Sequence, residues 1–129
     1  MSHQSIILDT NTLINFLRGE RLEIDLVEDK TIFISEITEM EIQCQADFTK
    51  SQRKELKLFL STLSIIQLSD EIKEAAIKIR LSTKMKLMDS IIAATSQISN
   101  IPLVTCDLKF DSVKTAQIIL LPVVEKRNS

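Results

Sequence analysis

Several chemistries are ruled out by what this sequence has little of. The 129 residues contain one His, no Trp or Tyr, one Gly and two Cys. The single histidine, His3, sits in an N-terminus expected to fray, so Ser–His and Cys–His nucleophile systems and histidine-built metal sites are unavailable. A lone Gly19 excludes a glycine-rich phosphate loop. Cys44 and Cys106 stand far apart with no CxxC-like neighbour, which argues against a zinc site or a disulfide scaffold; each is expected to be a small core residue. The five Phe are the only aromatics, too few for a stacking platform for single-stranded bases. A net charge of −2 offers no bulk attraction to a polyanion, so a nucleic-acid substrate would need local basic clusters or bound cations.

Apolar runs are short as well. The stretch 118–122 falls far below the roughly 20 residues of a membrane span, and residues 1–5 lack a basic n-region leading into an apolar one. The expectation is a cytoplasmic protein without membrane association. At 44% hydrophobic, the chain can bury a substantial core. No repeat, low-complexity tract or Gly/Ser linker divides it, so residues 1–129 are read as one domain, with 125–129 a fraying tail.

What the sequence does have is alternation of element types. Aliphatic or β-branched runs at 5–8, 31–34, 63–68, 103–105 and 118–121 have strand length and little internal alternation, as in strands covered on both faces. Helical periods lie between them: Leu13, Ile14 and Leu17; Ile37, Met40 and Cys44; Leu56, Phe59, Leu60 and Leu63; Ile72, Ala75, Ala76 and Ile79; Ile91, Ile92, Thr95 and Ile98. Ser35 and either Ser69 or Asp70 suit helix N-caps. Strands alternating with helices imply crossover connections, hence an α/β three-layer sandwich around a mainly parallel sheet.

In such a sheet, ligands collect beyond the carboxyl ends of the strands. Asp9 ends the buried run "IILD" and Asp107 ends "PLVTCD", and the two meet if their strands are neighbours. Asp89 opens the helix "DSIIAATSQI", and Glu41 lies on the Ile37/Cys44 side of the helix after "IFIS". Four acids at one edge oppose folding unless a cation neutralises them. A hard divalent ion such as Mg2+ takes carboxylate oxygens, keeps several waters, generates a hydroxide-like nucleophile and stabilises a phosphoryl group in transfer. Each acid alone also has a structural reading, as turn, cap or solvated residue; their coincidence at one edge favours the site. Lys50, Arg53, Lys54 and Lys57 read as a solvated helix face. Lys78, Arg80, Lys84 and Lys86 run up to Asp89, where Arg80, Lys84 and Lys86 are candidates for phosphate contact.

The stretches "ILDTNTLINFL", "ISEITEMEI", "KMKLMDSIIAATS" and "LVTCDLKF", in that order from residue 6 to about 123, resemble PIN-domain ribonucleases, most closely the VapC-type toxins of bacterial toxin–antitoxin pairs. By that resemblance Asp9, Glu41, Asp89 and Asp107 match the family's metal-binding acids, Asn11 the polar residue two positions after the first, and Thr105 a supporting hydroxyl. The resemblance implies a PIN-like fold, Mg2+- or Mn2+-dependent endoribonuclease activity, restraint by a cognate antitoxin, and a homodimer. Two positions depart from the family pattern: Lys109 stands where a further acid is common, and Met88 where a small residue or Pro precedes the third acid. Lys109 keeps a rival reading open, a PIN-like module that binds protein or RNA without catalysis. A receiver-like phosphoacceptor fold also uses strand-end aspartates, but gives no place to the Ser35/Thr38/Glu41 or "DSIIAAT" stretches. Met40, Phe16, Leu17 and Phe48 are candidates for an apolar patch that receives a partner.

Overall fold

A computed structural model of the chain describes residues 4–127; His3 lies outside them. In chain order the elements are β1 (Gln4–Leu8), α1 (Thr10–Leu17), α2 (Arg21–Val27), β2 (Lys30–Ser35), α3 (Glu36–Gln43), α4 (Lys50–Leu60), β3 (Ser64–Ile66), α5 (Asp70–Ser82), α6 (Leu87–Ser99), β4 (Leu103–Thr105), a 3₁₀ turn (Leu108–Ser112), β5 (Ile118–Leu120) and α7 (Val124–Arg127). The five strands pair in the order β3-β2-β1-β4-β5, every pairing parallel.

Alternation along each strand sends successive side chains into two separate cores, which explains the near-continuous apolar runs. Ile7, Phe33, Leu103 and Ile118 face one cluster, built with Ile72, Ala76 and Ile79 of α5 and Ile92 and Ala93 of α6. Ile6, Leu8, Ile34 and Val104 face the other, with Leu13 of α1, Ile42 of α3 and Leu56 and Leu60 of α4. This is the three-layer α/β arrangement. Helix α3 contributes to both sides, Ile37 to the first cluster and Ile42 to the second, so it sits across the carboxyl edge of the sheet.

Side-chain caps start the helices at the strand ends. Asp9 Oδ1 accepts from the Thr12 N–H, Ser35 Oγ from Thr38 and Ser69 Oγ from Ile72. Gly19 takes φ 83 between α1 and α2, a left-handed conformation that costs glycine little.

Several expectations from sequence are corrected. Helix α2 escapes the periodicity reading because "RLEIDLV" alternates like a strand; in the helix Glu23 is fully buried while Leu22 faces outward. The fraying tail does not begin at Glu125: residues 124–127 form α7, held because Arg127 reaches the buried Glu23. Neither cysteine belongs to the apolar core; Cys44 is exposed and Cys106 lies among polar groups. Asp89 is not the cap of its helix but the third residue of α6, still within the first turn where a negative charge meets the helix dipole favourably. Arg53 is not purely solvated, since its guanidinium donates to the Gln43 and Gln45 carbonyls at 2.8 and 2.6 Å and closes the end of α3.

Candidate active site

The chain runs outward from β1 to β3, then returns to lay β4 on the other side of β1, so the strand order reverses between β1 and β4. A crevice opens there beyond the strand ends. Leu8 pairs with Val104, which brings Asp9 level with Thr105. The Thr105 hydroxyl donates to Asp9 Oδ2 at 2.6 Å, and the Asp107 N–H donates to the same Thr105 oxygen at 3.0 Å. One buried hydroxyl thus couples the two strand-end acids. Asp107 Oδ1 in turn accepts from the Lys109 N–H at 2.9 Å.

Asp9 is only 4% exposed. Burial pushes its carboxyl above the ordinary range; hydrogen bonds from Thr105 and Thr12 counteract this in part, and the charge of Asp107 adds to it. The Thr12 hydroxyl, wholly buried beside this cap, makes no well-formed hydrogen bond within the protein, although its proximity still eases the carboxylate. Asp89 is also pushed up, first by burial and then by the charges of Asp107, Glu41 and Asp9, against which Lys109 acts weakly. The acids therefore feel one another across a common space. Glu41 is held by Thr10, whose hydroxyl donates to Oε1 at 2.6 Å. The Thr10 and Thr38 hydroxyls are 3.3 Å apart; with its one proton on Glu41, Thr10 has lone pairs left to accept from Thr38.

Asp9, Glu41, Asp89 and Asp107 line a single crevice of about 520 Å3, together with Asn11, Thr10, the α3 residues Ile37 and Met40, and Cys44 at the end of that helix. Of the face marked by Ile37, Met40 and Cys44, the exposed Met40 and Cys44 are crevice wall, while Ile37 both lines the crevice and belongs to the first core cluster. Thr105 stands behind the wall, fully buried. Arg80, Lys84 and Lys86 are exposed and outside the crevice, and Lys84 shares a neighbouring hollow with Lys109. Thr10 is the functional candidate missed in the sequence reading; its signal was a hydroxyl between the two polar matches in "DTN".

Among the described residues no three His, Cys, Asp or Glu side chains stand close enough to clasp a metal ion by themselves. The donors are nonetheless hard oxygens facing a crevice with room for an ion and several waters, and the orphaned Thr12 hydroxyl, behind the lining, marks unfilled hydrogen-bonding capacity beside Asp9. That combination fits a cation that retains part of its water shell, as Mg2+ does. It fits zinc poorly, because no imidazole among the described residues lines the crevice.

Replacing Thr105 by Val keeps the shape and removes the proton given to Asp9. The expected result in urea or thermal unfolding is a loss of about 1–3 kcal/mol at neutral pH, shrinking at acid pH where Asp9 is protonated. A loss that stays constant with pH would place the effect in packing instead.

A family model described as the PIN domain matches residues 6–116. Among solved structures, a toxin–antitoxin complex from Klebsiella pneumoniae contains a chain 30% identical, superposing with a TM-score of 0.80 over 92% of this chain and 99% of that one. VapBC2 from Rickettsia felis, bound to a DNA fragment from the promoter, is 21% identical with a TM-score of 0.78, over 92% and 99%. VapBC-1 from nontypeable Haemophilus influenzae is 18% identical with the same TM-score of 0.78, over 91% and 98%, so these last two speak to the fold alone. A search of curated proteins gave no significant match.

Proposed function

The chain belongs to the PIN-domain family, and from that membership we propose that it is a Mg2+- or Mn2+-dependent endoribonuclease, the VapC-type toxin of a toxin–antitoxin pair. The observation that carries the reading is the convergence of four carboxylates, each from a different segment, on one crevice at the reversal of strand order. Asp9, Glu41, Asp89 and Asp107 would hold the ion. Bound there, a divalent cation supplies an acidified water and a counter-charge for the phosphodiester as it is cleaved.

The protein's own part is electrostatic and geometric. A phosphodiester cannot approach four carboxylates unaided, so affinity for RNA in this crevice must be linked to affinity for a cation. Thr105 and the α1 amide of Thr12 each occupy one lone pair of Asp9, leaving another on each oxygen for the crevice. Thr10 fixes Glu41 in the same sense. Asn11 on the rim can donate to a phosphate oxygen, while Arg80, Lys84 and Lys86 would engage backbone phosphates flanking the cleaved bond. Such contacts set affinity and register, not base preference.

Regulation would come from an antitoxin protein; the Klebsiella pneumoniae structure is a toxin–antitoxin complex. A hollow lined by Phe16, Leu17, Phe48 and Phe59, with Phe16 and Phe59 stacked at 5.8 Å between centroids, offers an apolar seat away from the acids. Exposed Leu81, Leu87, Met88 and Leu108 favour self-association into a homodimer. No helix among the described residues is long and apolar enough to cross a membrane; a cytoplasmic setting belongs to the same toxin reading.

Lys109 favours the second reading, a non-catalytic protein- or RNA-binding module, because its ammonium brings positive charge where relatives often place another acid. Calorimetric titration with Mn2+ separates the two. The nuclease should give saturable heat that disappears in Asp107→Asn, and should cut RNA with Mn2+ but not with EDTA. Wild-type protein that shows only heats of dilution would eliminate the metal-dependent mechanism.

A further inference from the structure

A second polar cluster lies on the opposite side of β4 from the acids. Glu23 of α2 is fully buried, and its two oxygens accept from Arg127 Nη1 at 2.6 Å and Nη2 at 2.9 Å. Asn15 Nδ2 donates to the same carboxylate at 3.1 Å. The fourth member is Cys106, whose Sγ lies 3.6 Å from Glu23 Oε2 and accepts from Arg127 Nη2 at 3.2 Å.

Two features separate this cluster from ordinary core polarity. A buried ion pair is weak evidence of stabilisation, because apolar residues of similar volume often serve the fold as well. Its members also grip the two segments that carry the strand-end acids. Asn15 lies on α1, the helix that Asp9 begins, and Cys106 sits between Thr105 and Asp107. At the end of β4, Thr105 turns its hydroxyl to Asp9 while Cys106 turns its thiol to the ion pair. The orientation of the Thr105–Asp107 backbone is therefore determined from behind as well as from the crevice.

We propose that Glu23 and Arg127 are positioning residues for Asp107: their buried ion pair holds Cys106 and thereby fixes the angle at which Thr105 and Asp107 meet Asp9. The C-terminal turn α7 thus forms part of the active-site framework. The consequence for turnover rests on the ribonuclease reading; the consequence for backbone order does not.

The test uses the full chain with Glu23→Gln, Arg127→Lys and Cys106→Ala. The last leaves no buried charge unpaired and serves as the variant that should fold in any case. Amide hydrogen exchange reports directly, since the Asp107 N–H is bonded to Thr105 and the Lys109 N–H to Asp107, while the Ile7 and Leu103 amides, bonded to the Pro102 and Gln117 carbonyls, monitor the sheet. Exchange at residues 107 and 109 should accelerate about tenfold or more with the sheet amides unchanged. In Mn2+, kcat on RNA should drop roughly 10²-fold at constant KM. Exchange that rises equally across the sheet, or variants with wild-type exchange at 107 and 109, would overturn the proposal. If the wild-type protein cuts no RNA, the ribonuclease reading fails on its own while the exchange data still decide whether the clamp exists.

Discussion

Asp9→Asn should reduce RNA cleavage by about three orders of magnitude while leaving the protein at least as stable near neutral pH. The two effects share one cause. Burial raises the Asp9 pKa above its ordinary 3.8, with the charge of Asp107 adding to the effect. A carboxyl with a higher pKa in the folded than in the unfolded chain binds more protons when folded across the interval between the two values. Unfolding free energy consequently declines as pH rises through that interval and stays lower above it. Asp89, pushed up by burial and by Asp107, Glu41 and Asp9, adds a penalty of the same sign. At neutral pH the crevice stores unfavourable desolvation and repulsion that a divalent cation would relieve. Asn keeps an acceptor for the Thr12 amide and presents its NH2 to the second lone pair of Thr105 Oγ1; the Thr105 proton loses its acceptor, a cost that the removed desolvation and repulsion offset. Asn carries no charge to desolvate. Above the ordinary carboxylate range, where Glu23 no longer changes its protonation, thermal melts of the wild type should therefore show a midpoint that falls with rising pH and recovers on adding Mn2+. The variant should show a flatter pH profile and a smaller Mn2+ response. An Asn variant that still cleaves RNA within a few-fold of wild type would remove Asp9 from the mechanism.

The parts of this arrangement that were legible in the sequence are those encoded locally. A buried strand has one register that hides its side chains, so an aspartate directly after "IIL" or "LVTC" must emerge at the strand's carboxyl end. That the two ends adjoin required the observed β1–β4 pairing, which no local pattern specifies. Glu41 was legible through helix register, because Ile37 and Cys44 on the same face line the same crevice. What stayed hidden depends on partners remote in sequence. Glu23 and Arg127 lie 104 residues apart, and each alone looks like a surface charge. Without Arg127 in view, Glu23 makes "RLEIDLV" read as alternating, and α2 is lost; without Glu23 in view, Arg127 reads as part of a fraying tail. Thr10 was obscured for a similar reason, since its partner Glu41 is 31 positions away. The cysteines were misjudged because small apolar character was the only local information they carried. In the fold one faces the crevice and the other an ion pair.

Arg127→Ala should be the most destabilising of the single substitutions considered, lowering the unfolding free energy by about 3–5 kcal/mol. The Arg127 side chain is 13% exposed and that of Glu23 0%, so the substitution takes its ionic partner from a carboxylate that the intact fold buries. Burial favours the protonated Glu23 carboxyl, but the hydrogen bonds from Arg127 and Asn15 and the guanidinium charge outweigh it and hold the pKa below the ordinary range. Without Arg127 the first influence prevails. A carboxyl with a lowered folded pKa contributes stability above its unfolded value and loses it as pH falls through the folded one. In the wild type this contribution is present at neutral pH and disappears with acidification; in Arg127→Ala it should be absent and replaced by the reverse slope. The double substitution Glu23→Leu with Arg127→Met separates charge from shape. If the single variant suffers chiefly from an uncompensated buried carboxylate, the double should recover most of the lost stability in urea unfolding. It should not recover turnover, because an apolar pair cannot offer Cys106 the directed contacts that hold the Thr105–Asp107 backbone. Recovery of both stability and cleavage would reduce the ion pair to packing, while recovery of neither would mean that the site tolerates no apolar substitute.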